Sequence, residues 1–292
     1  MARSALVLGG GMVGVSTAWH LQQRGYDVVL VERGEPGRET SYGNAGLIQR
    51  EAVEPYAFPH DFQKLVQVAF KQGNDVNYRL SDLAAIAPRL VEYWWNSGPK
   101  RYETITRGFE ALIRHCLTEH DRMIDAAGAG DLVRHGGWTQ IFRTEKGFDD
   151  GAARARHLAR EFGVEGRILD SATLARAEPA LYRKMTGGVY WPSPYSVKDP
   201  GALVQRYADL FVAGGGKIVH GDARTLAHLA SGWTVRTADG PVSAEQAVIA
   251  LGPRSSALPR CIGHEFPVFV KRGYHRPFKC NGPPTPPMAD TA

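Results

Sequence analysis

The chain has 292 residues, of which 43% are hydrophobic and 22% charged, the proportions of a soluble globular protein with apolar material for about two domains. A net charge of +5 is mild, and its basic residues are interleaved with acidic ones, without the stripe or zinc-finger pattern that nucleic acid as a partner requires. Three cysteines, Cys116, Cys261 and Cys280, lie far apart with no C-x-x-C, which argues against a disulfide framework or a zinc site and for a reducing cytoplasm.

Ser4 to Leu8 is short, apolar and bounded by glycine, as a buried parallel strand should be. Residues 13–23 read as a helix packed on it through Val13, Ala18 and Leu21, with Gly25 as a left-handed C-terminal cap. Asp27 to Val31 is a second buried strand that ends at Glu32, so the N-terminus predicts a right-handed βαβ unit. Arg3, the apolar run and the small residues Ser16, Thr17 and Ala18 superficially fit a secretory signal. Four glycines (Gly9, Gly10, Gly11 and Gly14) break it, and no apolar run is long enough to span a membrane.

In the middle region, Ser81 to Trp95 and Phe109 to Ala127 read as helices, the second on an apolar stripe at 109, 112, 113, 116, 117 and 124. Tyr93, Trp94 and Trp95 read as core aromatics. Cys116 and His120 stand one turn apart on that stripe with no second ligand pair, so packing is expected and no metal site. Gly137 to Arg143 reads as a strand, Ala152 to Phe162 as a short basic helix, and Ser171 as the cap of a helix stopping at Glu178-Pro179. Asp199-Pro200 is an N-cap followed by a first-turn proline, opening a helix that closes at Gly214 to Gly216. Strands are expected at Lys217 to His220, Trp233 to Arg236 and Gln246 to Ala250, with a tight turn near Asp239-Gly240. The proline-rich stretch at the C-terminus, NGPPTPPMADTA, cannot complete a sheet.

Chemistry concentrates in Gly9-Gly10-Gly11-Met12-Val13-Gly14, a G-x-G-x-x-G between a predicted strand and a predicted helix, with Glu32 at the end of the next strand. In that context the three glycines serve a tight turn, close approach of a pyrophosphate to the backbone, and close helix–strand packing. The helix N-terminus offers free N–H groups and a positive dipole end to the phosphates. Glu32 can accept hydrogen bonds from two ribose hydroxyls and would repel a 2′-phosphate, which argues against NADP even with Arg33 beside it. The turn by itself does not distinguish FAD from NAD.

The next segment, ETSYGNAGLI from Glu39 to Ile48, resembles the D-amino acid oxidase/dehydrogenase superfamily of FAD-dependent oxidoreductases, most closely the bacterial D-amino acid dehydrogenase small-subunit group. In that family a (T/S)S-x-x-NAG-x-I segment runs along the pyrophosphate to the flavin ring. Thr40, Ser41, Asn44, Ala45, Gly46 and Ile48 match it, with Leu47 at the variable position. Similar stretches continue along nearly the whole chain: GGWTQIFRTE, AEPAL, TGGVYWP, VKDPGALVQ and KRGYH.

The resemblance implies an α/β fold: a Rossmann-like FAD-binding domain from 1–50 and 197–260, and a mixed-sheet substrate (cap) domain from 51–196 and 261–292. It implies FAD contacts at Gly9, Gly11, Met12, Val13, Gly14, Glu32, Arg33, Thr40, Ser41, Asn44, Ala45, Gly46, Leu47, Ala223, Ala250 and Gly252. Tyr274 and His275 are the candidate active-site contacts, each more readily explained by packing. The expected reaction is oxidation of the CH–NH2 or CH–NH bond of a D-amino acid or related amine by hydride transfer to flavin, giving a 2-oxo acid and ammonia. Electrons would pass to a quinone or to oxygen, and the location implied is cytoplasmic or peripheral on the inner face of the membrane. Family members continue past the point where this chain stops, so the substrate domain is expected to be C-terminally incomplete, with the remainder missing or on a partner subunit. Two other classes follow: a truncated or non-catalytic FAD-binding subunit, and an NAD-dependent dehydrogenase, against which ETSYGNAGLI counts.

Overall fold

The computed structural model describes residues 3–60, 80–258 and 263. The stretch from Lys271 to His275, with the candidates Tyr274 and His275, and the proline-rich C-terminus lie outside them. Strand β1 (Ser4–Leu8), helix α1 (Met12–Gln23) and strand β2 (Asp27–Glu32) form the expected βαβ unit, with β1 and β2 parallel. Gly25 takes a left-handed φ of 79°, and Tyr26 N–H closes the helix end on Leu21 carbonyl at 3.1 Å. A two-residue strand β3 (Leu47–Ile48) follows the NAG turn.

Helices α2 (Leu80–Asn96), α3 (Pro99–Ile113) and α4 (Cys116–Ala126) come next. The single helix expected over 109–127 is therefore two. At His115 the backbone reaches φ −95°, ψ −4°, and its N–H bonds Leu112 carbonyl, three residues back, which breaks the α-helical ladder. The expected apolar stripe is not a single buried face: Phe109 and Leu112 are exposed, α3 buries Thr106 and Glu110 instead, and α4 buries Met123 and Ile124. Trp94 and Trp95 are not core aromatics: they are 40% and 58% exposed. The inward face of α2 is set by polar contacts instead. Tyr93 donates to Tyr56 carbonyl at 2.7 Å and Ser97 Oγ accepts the Phe58 N–H at 2.8 Å, which turns both tryptophans outward. There Trp94 stacks on His60 and the Arg101 guanidinium lies 4.4 Å from the Trp95 ring centroid.

Short strands β4 (Val133–His135) and β5 (Trp138–Phe142) lead to α5 (Glu145–Phe162), which starts a full two turns before the expected position because Thr144 caps it, accepting Gly147 N–H at 3.2 Å. Strand β6 (Arg167–Asp170) precedes α6 (Ser171–Ala177). Its N-cap is Asp170, which accepts Thr173 N–H at 2.7 Å, and not Ser171, whose hydroxyl donates to Met185 carbonyl. Strands β7 (Gly187–Trp191) and β8 (Tyr195–Val197) follow. Helix α7 (Pro200–Ala213) opens as expected, with Asp199 accepting Ala202 N–H at 2.9 Å. The last described strands are β9 (Lys217–Leu229), β10 (Gly232–Thr237), β11 (Gly240–Ala244) and β12 (Gln246–Ile249). The tight turn at Asp239 thus joins β10 to β11.

The largest sheet has the order β11-β10-β9-β2-β1-β12. Its β9-β2-β1-β12 half is parallel, while β10 and β11 pair antiparallel. Strand β9 belongs to both halves: residues 217–220 pair with β2, and the rest with β10. Helices α1 and α7 cover one face of the parallel half, burying Val15, Ala18, Leu203, Tyr207 and Phe211 on Val7, Val28 and Leu30. Leu6, Leu8 and Val31 face the other side and pack with Leu226 and Val235. Two smaller antiparallel sheets carry the middle of the chain: β5-β7-β6 packs around Val189 and Trp191, and β3-β8-β4 joins the first core through Val133, Tyr195 and Val197.

Candidate cofactor site

The site is built at the carboxyl ends of the parallel strands, where an open α/β sheet places its ligand crevice. A cavity of about 1060 Å³ opens there, walled by the loops after β1, β2 and β12 and by the bend of β9. At its base, Gly9 has φ +109°, closed to a side chain, and its missing Cβ would lie 2.6 Å from Ala250 carbonyl oxygen. A Cβ on Gly14 would come within 1.8 Å of Gly9 carbonyl oxygen, so α1 lies against the turn only because residue 14 has none. Gly11 differs. Its backbone is ordinary, and the nearest atom to an added Cβ is Ser41 Oγ at 3.3 Å, so that Cβ would occupy the cavity floor.

Ser41 Oγ accepts the Met12 N–H at 3.0 Å, placing a hydroxyl at the N-terminus of α1 beside the dipole end. The Glu32 carboxylate, at the end of β2, accepts the N–H groups of Gly10, Arg33 and Gly34, which fixes it on the cavity wall. Arg33 turns away from it to Glu39, and Arg254 reaches the same carboxylate from the far wall at 2.9 Å. Partial burial pushes the Glu39 carboxyl up, but hydrogen bonds and charge from Arg33 and Arg254 outweigh it and hold it below the usual carboxylate range. Asp222 and Arg224 form a second ion pair on the β9 side, at 2.8 Å. That guanidinium and its backbone N–H keep the Asp222 carboxyl low.

Of the residues expected from sequence, Gly9, Gly11, Met12, Val13, Glu32, Arg33, Thr40, Ser41, Ala223, Ala250 and Gly252 line this one cavity. Gly14 packs behind it. Asn44, Ala45, Gly46 and Leu47 are not among its lining. Asn44 shapes the turn, donating to Ser41 carbonyl and accepting Gly46 N–H at 2.8 Å. Gly46 has φ +64° against Val197 carbonyl, where a Cβ would sit 2.4 Å from the oxygen. Sequence reasoning missed Glu39, Arg254 and the Asp222–Arg224 pair. Glu39 opens the ETSYGNAGLI segment, so position marked it; Arg254 is brought near only by the fold.

Cys116 and His120 line a smaller cleft of about 210 Å³ with His20, His115, Glu119 and Met123. His120 Nδ1 lies 3.0 Å from the Tyr207 hydroxyl, and no cluster of three metal-ligating side chains occurs among the described residues. Burial pushes the Cys116 thiol up, away from reactivity.

A parallel sheet with a glycine turn on a helix N-terminus and an acid at the next strand end defines a Rossmann-type dinucleotide-binding protein. Comparison with known proteins narrows the class. The profile of the DAO family, described as FAD dependent oxidoreductase, matches residues 4–291, and the chain belongs to that family. FAD is the family's cofactor. The chain is 29% identical over 277 residues to a D-amino-acid oxidase of Bradyrhizobium diazoefficiens, covering 94% of this chain and 65% of that protein. It is 31% identical over 279 residues to a D-amino acid dehydrogenase of Rhizorhabdus wittichii, covering 92% of this chain and 66% of that one. The chain thus spans just under two thirds of the length of these curated relatives. Among solved structures, glycine oxidase from Geobacillus kaustophilus shares the fold at TM-score 0.60 and 21% identity, over 90% of this chain and 59% of that one. L-amino acid deaminase from Proteus vulgaris does so at TM-score 0.59 and 18% identity, over 91% of this chain and 50% of that one.

The residues present fit FAD. The cavity is of dinucleotide size, its floor at Gly11 is kept clear of side chain, and its wall holds a fixed carboxylate of the kind that takes a ribose.

Proposed function

We propose that this chain holds FAD in the cavity at the ends of β1, β2 and β12, and that it is an oxidoreductase acting on the CH–NH2 or CH–NH bond of a D-amino acid or related amine. The observation that carries this is the pairing of a side-chain-free floor at Gly11 with Glu32 fixed on the adjoining wall. Backbone N–H groups at the start of α1 and the Ser41 hydroxyl would hold the pyrophosphate, and Glu32 would hold the ribose of the adenosine half. Ala223 and the bend of β9 would wall the adenine, while Asn44 and Gly46 hold the turn that continues toward the ring end. When bound, FAD supplies a two-electron acceptor for the hydride on the substrate's Cα. What the chain must add is alignment and exclusion of water, since the reaction needs close approach by a neutral amine more than a general base. The imino acid so formed hydrolyses to a 2-oxo acid and ammonia.

The division proposed is 1–50 with 197–260 for the cofactor and 51–196 with 261–292 for the substrate. Tyr274 and His275 are the active-site residues proposed from the second part, and a quinone or oxygen is the acceptor proposed. The second reading is a non-catalytic FAD-binding subunit. One experiment separates the two. The purified protein is expected to be yellow with flavin absorbance, and its colour is expected to bleach anaerobically on addition of a substrate from a D-amino acid panel. A colourless protein that takes up no added FAD sinks both readings, and a yellow one that no substrate bleaches leaves only the subunit.

A further inference from the structure

Glu39 is shared between two arginines that arrive from opposite walls of the cavity. Its Oε1 accepts Arg33 Nε at 2.8 Å, and its Oε2 accepts Arg254 Nε at 2.9 Å. Arg33 directly follows β2. Glu39 begins the loop that carries Thr40 and Ser41, and Arg254 lies in the 3-10 turn after β12, Gly252–Ala257. All three side chains line the cavity. The Arg254–Glu39 contact therefore bridges two loops that are 215 residues apart in sequence and would otherwise be free to separate.

Two residues beyond Glu39, Ser41 is hydrogen-bonded to the N-terminus of α1, so the inner end of that loop is already anchored on the glycine turn. Glu39 anchors its outer end. The three side chains are each roughly half exposed, at 53%, 45% and 54% for Arg33, Glu39 and Arg254. Exposed ion pairs are individually weak, which suits a contact that has to open.

We infer that Glu39 is a latch: a positioning residue whose shared carboxylate ties the two walls of the cavity together and slows release of the dinucleotide. The inference rests on the reading that the cavity takes FAD. Arg33 orients the carboxylate from the β2 side, and the Arg254 contact is the one that breaks when the walls part.

The test measures FAD release from the holoprotein after dilution, by recovery of flavin fluorescence, for wild type, Glu39→Gln, Arg254→Gln, Arg254→Lys and the Glu39→Gln/Arg254→Gln double variant. Each single Gln substitution is expected to speed release about threefold, the scale of one exposed, geometrically favourable ion pair. The double variant is expected to be no faster than Glu39→Gln alone, because both remove the same contact. Arg254→Lys keeps the charge and is expected to release close to the wild-type rate, and raised ionic strength is expected to narrow the gap between wild type and Glu39→Gln. Wild type that holds FAD, with release unaffected by Glu39→Gln or with additive effects in the double variant, overturns the latch alone. Wild type that takes up no FAD overturns the cofactor reading and the latch with it.

Discussion

At the scale of single residues, the glycine turn contains two kinds of glycine that sequence alone treats alike. Gly9 and Gly14 are required by the fold, the one through its φ and the other through contact with the Gly9 carbonyl. Gly11 is not: at φ −78° its backbone accepts any residue, and only the cavity in front of it argues for glycine. Gly11→Val is therefore expected to fold with nearly wild-type stability and to purify colourless, read as loss of flavin absorbance at unchanged far-UV circular dichroism. Stoichiometric flavin in that variant would refute the site. Gly9→Val, in contrast, is expected to lose the fold. These residues were legible because a short motif and its context fall within one local stretch. Arg254 was not, since nothing in the sequence around it indicates that it meets Glu39.

At the scale of elements, β1, α1, β2 and α7 were readable because each is bounded by its own signals: glycine, an apolar period, or Asp-Pro. Strands β3, β4 and β8 are two or three residues long and exist only through pairing between distant segments, such as His135 with Tyr195 and Ile48 with Tyr195. No local pattern marks them. Long-range ion pairing was hidden for a related reason. Glu110 in α3 is a buried carboxylate that accepts from Arg114 one turn on and also from Arg50 at 3.4 Å, far away in sequence. Arg50 further donates to Phe162 carbonyl, so this acid ties the segment after β3 to α3 and to the end of α5. Removing one partner leaves the other cation part-buried. Glu110→Ala is expected to cost about 3 kcal/mol, measured as a lower denaturant midpoint. Unfolding at the wild-type midpoint would show that the cluster is only a surface pair.

At the scale of the whole molecule, stability should depend on pH through two histidines near the α1–α4 contact. Burial lowers the His120 pKa against a smaller opposing effect of Asp121, and burial likewise lowers that of His20 although Glu119 opposes it. Each therefore binds its proton less readily folded than unfolded. The stability they allow is present above the ordinary value of 6.5 and is lost as pH falls below it toward the folded values. The melting temperature is expected to decline on that side, and less steeply in His120→Gln; parallel declines would show that His120 is not responsible. The described residues include no helix long and apolar enough to cross a membrane.

Strand β9 carries a mechanical consequence. Its first four residues are one rail of the parallel sheet, its remainder is one rail of the β9–β10 hairpin, and the cavity wall from His220 to Thr225 is the joint between them. The hairpin is thus a lever whose fulcrum lines the cavity. The turn at 238–239 returns to that joint, where Ala238 lines the cavity and its N–H bonds His220 carbonyl at 2.9 Å, whereas the exposed turn at 230–231 lies outside the cavity lining; a change of strand twist at Val235, buried against Leu226, would turn the joint. An engineer who wished to tune cofactor affinity without touching the cavity lining would start at Val235 and Leu226, inside the hairpin.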